Sequence, residues 1–378
     1  MTPHLFVFGR SPGLARTELE SQIPAVDSVS PFLAKAALSV PPAEIIGVLG
    51  GTVKIARILT TLPRLEAEEL AALLVTEEAK KVDFGISFYD TPAVNLLDAV
   101  KDALISKGIS ARFVKTKHED ALSSVVVVKQ KLTELVIGPA PEGGYIVAQT
   151  VALQDFESWN KRDYDRPAAD PKAGMLPPKV ARMVVNIALG KEKSGKVLLD
   201  PFCGMGTVLS EALLSGAAVI GADISVPAVD GARKNIAWLE TVYPHVSASA
   251  ARLFVSDATH VASQIPAGSV DAIVTEPFMG TTHAGARDAH LSPEKVRNII
   301  KGLEKLYIGC LREWHGILKE SGVVLIALPE YHVAGRVHFV KKVIDSCETL
   351  GYTCQAGPIE YSRPQAVVRR KFFLFKKL

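Results

Sequence analysis

The stretch LLDPFCGMGTVLSEALL, residues 198–214, passes abruptly from one hydrophobic pattern to another. A short β-rich run ends at Asp200, and apolar residues at helical spacing then continue to about Gly216. Between the two patterns lie Gly204 and Gly206, which favour a tight turn. The pattern predicts a strand-to-helix turn of a parallel sheet. At such a turn glycines let the backbone approach a ligand, and the amides of the helix N-terminus favour carboxylate or phosphate groups.

The chain after about Lys196 alternates β-rich runs with helical patterns, which is typical of a doubly wound parallel sheet. The β-rich runs are KVLLD, AAVIGAD, ARLFVS, VDAIVTE, GVVLIAL and VRRKFFLF. The clearest helix covers residues 292–318. Ser292 suits its N-cap, Pro293 suits the first helical position, and an apolar stripe follows at helical spacing. The predicted fold class is α/β, with a Rossmann-like sheet in the C-terminal part.

The N-terminal part of the chain, residues 1–155, predicts a separate α+β domain, whose last two β-rich runs flank PAPEGG and are expected to pair as a hairpin. Residues 156–178 mix aromatic, charged and Pro residues without apolar periodicity, which indicates a linker. Residues 179–378 would form the Rossmann-like domain. A chain of 378 residues, 48% of them hydrophobic and 22% charged, can supply two domains with sizeable cores.

Composition excludes several classes of protein. Mean hydropathy is +0.21, yet no run approaches the roughly 18 uncharged apolar residues that a membrane-spanning helix requires. The start, MTPHLFVFGRSPG, lacks the pattern of a signal peptide, so we expect a cytoplasmic protein with no membrane partner. The four cysteines are widely spaced and the nine histidines show no metal-ligand spacing, so neither a disulfide framework nor a metal site is expected. A net charge of +3 does not by itself indicate a nucleic-acid partner.

Carboxylates end successive predicted strands. Asp223 ends the second strand, about twenty residues beyond the turn, where it can accept hydrogen bonds from ribose hydroxyls. NAD and S-adenosylmethionine (AdoMet) would both fit, but a dinucleotide fingerprint requires a third glycine where this chain has Leu209. AdoMet is therefore favoured, with Asp200 at its ammonium group and Asp257, at the end of the third strand, at its adenine amine. The predicted AdoMet-binding residues are Asp200, Phe202, Cys203, Gly204, Gly206, Thr207, Asp223, Ile224, Asp257 and Ala258.

The fourth strand leads into VDAIVTEPFMG, which has the residue types needed to methylate an exocyclic base amine. Such an amine is a weak, conjugated nucleophile, so its N–H groups must be held by acceptors that keep its lone pair directed at the methyl group. A carboxylate and a backbone carbonyl can do this, a proline stiffens the turn, and an aromatic ring can stack on an extruded base. We predict that Glu276, Pro277 and Phe278 are the catalytic residues.

The motifs DPFCGMGT, GADIS and TEPFMG, in this order, resemble those of class I amino-methyltransferases. RDYDRPAADPKAGMLPPKVARMVVNIAL and IEYSRPQAVVRRKFFLF resemble the segments that open and close the catalytic domain in THUMP-containing tRNA guanosine N2-methyltransferases of the Trm-eleven and archaeal G-ten types. SSVVVVKQKLTELVIG is similar to the end of a THUMP-type RNA-binding domain, so the resemblance covers about residues 120–378. It implies AdoMet-dependent methylation of guanosine N2 in tRNA, of the position-10 type, and allows a small activating protein subunit.

The resemblance is imperfect at the catalytic motif. The family pattern D-P-P-[YF] corresponds to the sequence TEPFMG, residues 275–280, and the two can be aligned in two registers. In the first, Glu276 replaces the acid, Pro277 keeps its place, Phe278 replaces the second proline and Met279 takes the place of the aromatic residue. In the second, Thr275 takes the place of the acid and Phe278 that of the aromatic residue. The first register is the prediction, and the alternatives are a methyltransferase acting on rRNA or DNA amines and an inactive RNA-binding protein with this fold.

Two basic segments are candidate RNA contacts. The C-terminal tail carries cations interleaved with phenylalanines that could equally be buried: Arg363, Arg369, Arg370, Lys371, Lys376 and Lys377, with Phe372, Phe373 and Phe375. The linker also mixes cations and aromatic residues, namely Trp159, Lys161, Arg162, Tyr164 and Arg166. His283 and His290 follow the catalytic motif, where they could cover a base or simply lie at the surface.

Overall fold

The computed structural model describes residues 2–75, 80–115, 120–170, 175–280, 292–362 and 366–378. The chain divides into two compact units, Met1–Ser158 and Trp159–Leu378. Each unit is built on its own eight-stranded sheet. The α/β fold class is confirmed by this mixture of sheets and covering helices.

The first unit combines antiparallel and parallel strand pairs. Its strands are β1 (Thr2–Phe8), β2 (Asp27–Ser30), β3 (Leu33–Leu38), β4 (Thr52–Leu62), β5 (Lys81–Phe88), β6 (Ser110–Phe113), β7 (Thr133–Pro139) and β8 (Tyr145–Leu153). Its helices are α1 (Pro12–Gln22), α2 (Pro42–Val48), α3 (Ala67–Leu73), α4 (Leu97–Ser106) and α5 (Ser124–Lys129). The sheet order is β2-β3-β1-β4-β8-β7-β5-β6. Strands β7 and β8 pair antiparallel across PAPEGG, which confirms the predicted hairpin.

The second unit contains the predicted strand-turn-helix repeats. Its strands are β9 (Val197–Asp200), β10 (Ala218–Asp223), β11 (Ala251–Val255), β12 (Val270–Thr275), β13 (Leu318–Val333), β14 (Arg336–Phe339), β15 (Tyr352–Tyr361) and β16 (Val368–Lys377). Helix α6 (Phe156–Tyr164) precedes α7 (Pro178–Leu189), α8 (Thr207–Leu214), α9 (Val226–Val242), α10 (Pro293–His315) and α11 (Lys341–Asp345). The sheet order is β11-β10-β9-β12-β13-β16-β15, and β14 pairs with β13.

The parallel part of this sheet ends at β13. Strands β11, β10, β9, β12 and β13 are parallel neighbours, as the alternating pattern predicts. The run VRRKFFLF, counted among the parallel strands, is instead antiparallel to both β13 and β15, so that part of the prediction is wrong. A parallel return requires a crossover of about a dozen residues or more, and the chain between β15 and β16 is too short for one.

Helix α10 supports the core beneath the sheet. Ser292 caps it, because its side chain accepts a hydrogen bond from the Lys295 backbone N–H at 3.2 Å, and Pro293 occupies the first position, as predicted. The predicted apolar stripe is buried over most of its length: Val296, Ile300, Leu303, Tyr307, Cys310, Leu311 and Trp314. The helix ends at His315, earlier than predicted, because Gly316 follows and β13 begins at Leu318.

The segment 156–178, expected to be a linker, contains helix α6. Trp159 on this helix is 7% exposed, and the guanidinium of Arg162 lies 3.9 Å from the centre of its ring. Arg162 also approaches Glu211 of α8, with Nε and Oε1 separated by 2.9 Å. Trp159 and Arg162 are therefore packed within the second unit, whereas Tyr164 of the same segment is 78% exposed.

Candidate active site

The carboxyl ends of β9, β10, β11 and β12 lie side by side at one edge of the second sheet, because these strands are parallel neighbours. Asp200, Asp223 and Thr275 are the last residues of β9, β10 and β12. Asp257 follows β11 by two residues. This edge is where open α/β sheets bind their ligands.

Asp200 is the buried acid of the site and is only 2% exposed. Its Oδ1 accepts hydrogen bonds from Thr275 Oγ1 at 2.7 Å and from the Phe202 backbone N–H at 3.1 Å. Burial raises the pKa of Asp200 to about 7, although these two hydrogen bonds act in the opposite direction. The nearby carboxylates of Asp223 and Glu276 raise the pKa further. A cationic group at this edge would favour the charged form of Asp200.

The turn after β9 depends on its glycines. Gly204 and Gly206 have φ values of +50° and +80°, in the left-handed region that other residues rarely adopt. A Cβ built on Gly206 would lie 3.1 Å from Ala232 Cβ, whereas one built on Gly204 would enter open space. Gly206 is the N-cap of α8, which begins at Thr207. Cys203 is buried, which raises the pKa of its thiol, so it acts as a packing residue.

Two more side chains fix this turn from outside. Arg166 Nη1 donates to Thr207 Oγ1 at 2.9 Å, at the first position of α8. The ring of Phe202 packs edge-on against Trp314, with their centres 6.4 Å apart. The turn is therefore held in place from the segment before α7 as well as from the core.

Asp223 ties the turn to the next strand. Its Oδ2 accepts from the Gly204 backbone N–H at 2.9 Å, and its Oδ1 accepts from the Ser225 backbone N–H at 2.9 Å. A carboxylate oxygen has two lone pairs, so these bonds leave acceptor capacity for a ligand. Ile224 beside it is 72% exposed, which offers an apolar surface next to the acid.

Asp257 occupies an exposed turn after β11. Its Oδ1 accepts from the Thr259 backbone N–H at 2.8 Å and from Thr259 Oγ1 at 2.7 Å, and these bonds lower its pKa. The buried Ala258 is fixed by its carbonyl, which accepts from Trp314 Nε1 at 3.0 Å. Asp257 is therefore a turn residue in this structure, and it remains ionised and accessible to a ligand.

The predicted catalytic residues directly follow β12. Glu276 is 18% exposed at its side chain, and its Oε1 accepts from Arg370 Nε at 2.5 Å. Pro277 is buried and Phe278 is 53% exposed. Thr275 is 1% exposed and donates its hydroxyl hydrogen to Asp200. The candidate acids of the two registers thus differ in exposure. Thr275 is buried and hydrogen-bonded to Asp200, while the side chain of Glu276 is partly exposed.

Two buried tyrosines hold the backbone of this motif. Tyr307 Oη donates to the Phe278 carbonyl at 2.7 Å, and Tyr331 Oη donates to the Met279 carbonyl. A Cβ on Gly280, which has φ of +89°, would lie 2.5 Å from Tyr331 Oη. The sequence pattern places Tyr307 in the apolar stripe of α10 and predicts its burial, but not its hydrogen bond to the catalytic motif. The signal was available, because a buried tyrosine hydroxyl usually requires a hydrogen-bond partner.

The basic tail is also more structural than its composition suggests. Its phenylalanines are core residues, with Phe372 1%, Phe373 5% and Phe375 0% exposed. Lys371 Nζ lies 2.7 Å from Glu360 Oε2, and Lys377 Nζ lies 3.2 Å from Glu320 Oε1. The remaining candidates Arg363, His283 and His290 lie outside the described residues.

Within residues 2–75, 80–115, 120–170, 175–280, 292–362 and 366–378, no three His, Cys, Asp or Glu side chains are grouped as a metal site requires. Over the same ranges, every helix is too short or too polar to cross a bilayer.

Known proteins resemble this chain in sequence and in fold. Residues 165–337 match the UPF0020 family, described as an RMKL-like methyltransferase domain. The tRNA (guanine(10)-N2)-dimethyltransferase of Methanothermobacter thermautotrophicus is 35% identical over 188 residues, 50% of this chain and 48% of the relative. The protein of the same name from Pyrococcus abyssi is 29% identical over 222 residues, 59% and 54% of the two chains. The chain thus spans about half the length of these curated relatives.

Among solved structures, TrmN from Thermus thermophilus matches over 100% of both chains, with a TM-score of 0.59 and 17% identity. A possible methylase from Clostridium difficile 630 matches over 100% of this chain and 97% of its own, with a TM-score of 0.52 and 15% identity. The second unit therefore has the class I methyltransferase fold, with acids at the ends of its parallel strands, and it follows an N-terminal unit that mixes helices and strands. The matches to the UPF0020 methyltransferase domain and to curated tRNA (guanine(10)-N2)-dimethyltransferases support the resemblance seen in the sequence.

Proposed function

We propose that this protein is an AdoMet-dependent methyltransferase that modifies the exocyclic N2 amine of a guanosine in tRNA. The observation that carries the proposal is the single sheet edge that gathers Asp200, Asp223 and Asp257 next to the Glu276 turn. The names of the curated relatives supply tRNA and guanine N2 as the target. A methyltransferase domain match over residues 165–337 agrees with the reaction class.

The residues at this edge fit AdoMet. A side chain at Gly204 would enter open space, so the turn leaves room for a ligand against the backbone. Asp200 would accept from the ammonium group, with Phe202, Cys203, Gly206 and Thr207 shaping the methionine end. Asp223 would accept from the ribose hydroxyls while Ile224 contacts the adenine ring. Asp257 and Ala258 would border the adenine amine. When bound, AdoMet supplies an electrophilic methyl group on sulfur.

The catalytic residues would orient the amine rather than react covalently. Glu276 accepts a hydrogen bond from one N–H of the amine, and the Pro277 carbonyl accepts from the other. The next two carbonyls already receive the Tyr307 and Tyr331 hydroxyls, which leaves Pro277 as the acceptor of this turn best placed for the base. The exposed ring of Phe278 stacks on the extruded guanine.

Binding of tRNA would combine the first unit with cations of the second. The sequence of residues 1–155 resembles a THUMP-type RNA-binding domain at its end, and residues 179–378 would form the catalytic domain. Cationic side chains neutralise phosphates and release counterions, so such binding depends on salt. The resemblance seen in the sequence also allows a small activating protein subunit.

The direct test is a panel of acceptors. The purified chain is incubated with isotopically labelled AdoMet in three separate reactions, which contain tRNA, rRNA or DNA as the acceptor. Label in guanosine of tRNA alone supports the proposal. Label in rRNA or DNA identifies the alternative amino-methyltransferases, and calorimetric binding of AdoMet without transfer to any acceptor identifies the inactive RNA-binding protein.

A further inference from the structure

Arg370 is a cation in direct contact with the proposed catalytic acid. Its Nε donates to Glu276 Oε1 at 2.5 Å, across 94 residues of sequence. The side chains of the pair are 16% and 18% exposed. The guanidinium carbon also lies 5.8 Å from the centre of the Tyr361 ring.

This pair is shorter and less exposed than the ion pair of the preceding residue on the same strand. Arg369, the preceding residue, lies 3.3 Å from Glu360, and those side chains are 40% and 43% exposed. Exposed pairs are screened by water and contribute little, whereas a shorter and less exposed charge-assisted hydrogen bond restrains both partners. The Arg370–Glu276 pair therefore has the geometry to fix the Glu276 side chain in one orientation.

The backbone of Arg370 is also rigid. Strand β16 is hydrogen-bonded on both sides, and Arg370 stands opposite Pro329 of β13 and Tyr361 of β15. The next residues inward, Phe372 and Phe373, are buried in the core. A guanidinium based on a central strand can hold its partner more precisely than one on a loop.

We propose that Arg370 is a positioning residue for methyl transfer, which fixes the Glu276 carboxylate so that it meets the N–H group of the incoming base amine. The proposal rests on the function proposed above and assigns Arg370 no contact with the base. Glutamate has three rotatable bonds, and without a fixed partner its carboxylate would sample several rotamers. A reacting group misplaced by about 1 Å can cost on the order of a hundredfold in rate.

The test compares turnover with binding in four variants. Arg370→Gln should lower kcat by about ten- to a hundredfold because Glu276 loses its orientation, with KM for AdoMet within about threefold of wild type. Arg370→Lys keeps the charge but not the planar fork and should restore part of kcat. In a Glu276→Gln background, Arg370→Gln should cause little further loss, since the two residues act as one unit.

Lys319→Gln is the matched control. Lys319 Nζ lies 2.7 Å from Asp271 Oδ2, so this variant removes an ion pair of similar length, with a more exposed cation, from the opposite end of β12. Its kcat should stay near that of wild type. Tryptophan fluorescence of each variant establishes that the second unit is folded, and Arg370→Lys carries the test if Arg370→Gln does not fold.

The outcomes separate this inference from the proposed function. A wild-type chain that transfers no methyl group to any nucleic acid overturns both. An active wild type whose kcat is unchanged or increased in Arg370→Gln and Arg370→Lys overturns only the role of Arg370. Equal losses in Lys319→Gln and Arg370→Gln, or fully additive losses in the double variant, also overturn it.

Discussion

Asp200→Asn should stabilise the second unit at alkaline pH and leave its stability at acid pH nearly unchanged. In the folded protein, burial raises the Asp200 pKa from its usual 3.8 to about 7, so the folded state keeps a proton that the unfolded state has lost. Where the folded state binds more protons, stability falls as pH rises. The wild-type protein therefore loses stability from about pH 4 to pH 7, and the loss levels off above the folded-state pKa. Asparagine does not titrate, so the Asp200→Asn variant lacks this pH-dependent loss of stability.

The size of this effect follows from the two pKa values. Between pH 5 and pH 8, the Asp200 titration should reduce the wild-type free energy of unfolding by about 2 to 3 kcal/mol relative to the variant. Asparagine retains an oxygen that can accept from Thr275 Oγ1 and the Phe202 backbone N–H, so little packing is lost. Thr275→Val removes a donor that stabilises the charged form of Asp200, and the decline should then extend to higher pH.

Tryptophan fluorescence during urea unfolding of the whole chain measures this quantity. All three tryptophans, Trp159, Trp238 and Trp314, lie in the second unit, so the signal reports its unfolding. The difference between wild type and Asp200→Asn cancels the titration of other groups. Parallel curves for the two proteins from pH 5 to pH 8 would show that Asp200 is already ionised in the folded state and would refute the reasoning.

Other predictions test the proposed cofactor and RNA contacts. Asp223→Ala should weaken AdoMet binding about ten- to a hundredfold by calorimetry, because a charge-assisted ribose contact is lost, and unchanged affinity would remove Asp223 from the site. Gly206→Ala should destabilise the second unit by about 1 to 3 kcal/mol, measured by urea unfolding, because its φ is +80° and Ala232 is close, and unchanged stability would contradict the strain argument. Affinity for tRNA should fall linearly with salt on logarithmic axes, and a flat plot would exclude phosphate contacts by the cationic side chains.

Local features of the second unit can be predicted from the sequence, because residues close together in the chain determine them. The turn at Gly204 and Gly206, the N-cap at Ser292 and the acids that end β9 and β10 all belong to short continuous patterns. The hairpin of β7 and β8 is likewise set by the turn between its strands.

Features that depend on residues far apart in the sequence cannot be predicted in this way. The antiparallel insertion of β16 follows from its pairing with β13, which lies far away in sequence. Arg162 looks like a surface cation until Glu211 is placed beside it. Arg370 looks like one more charge of a basic tail, and only the folded sheet brings it to Glu276. Pairing between remote side chains leaves no periodic signal in the sequence.

The most direct test of the central claim is single-turnover methylation of tRNA by wild type, Glu276→Gln and Glu276→Ala, followed by mass spectrometry of the nucleosides. We expect N2-methylated guanosine with the wild type and a loss on the order of a hundred- to a thousandfold in rate with Glu276→Ala, because one preorganised acceptor is removed. Glu276→Gln should lie between them, and AdoMet affinity should remain near the wild-type value in both variants. Equal rates in all three proteins would contradict a catalytic role for Glu276 and favour the register with Thr275 and Phe278. Absence of methylated guanosine with the wild type would contradict the proposed activity itself.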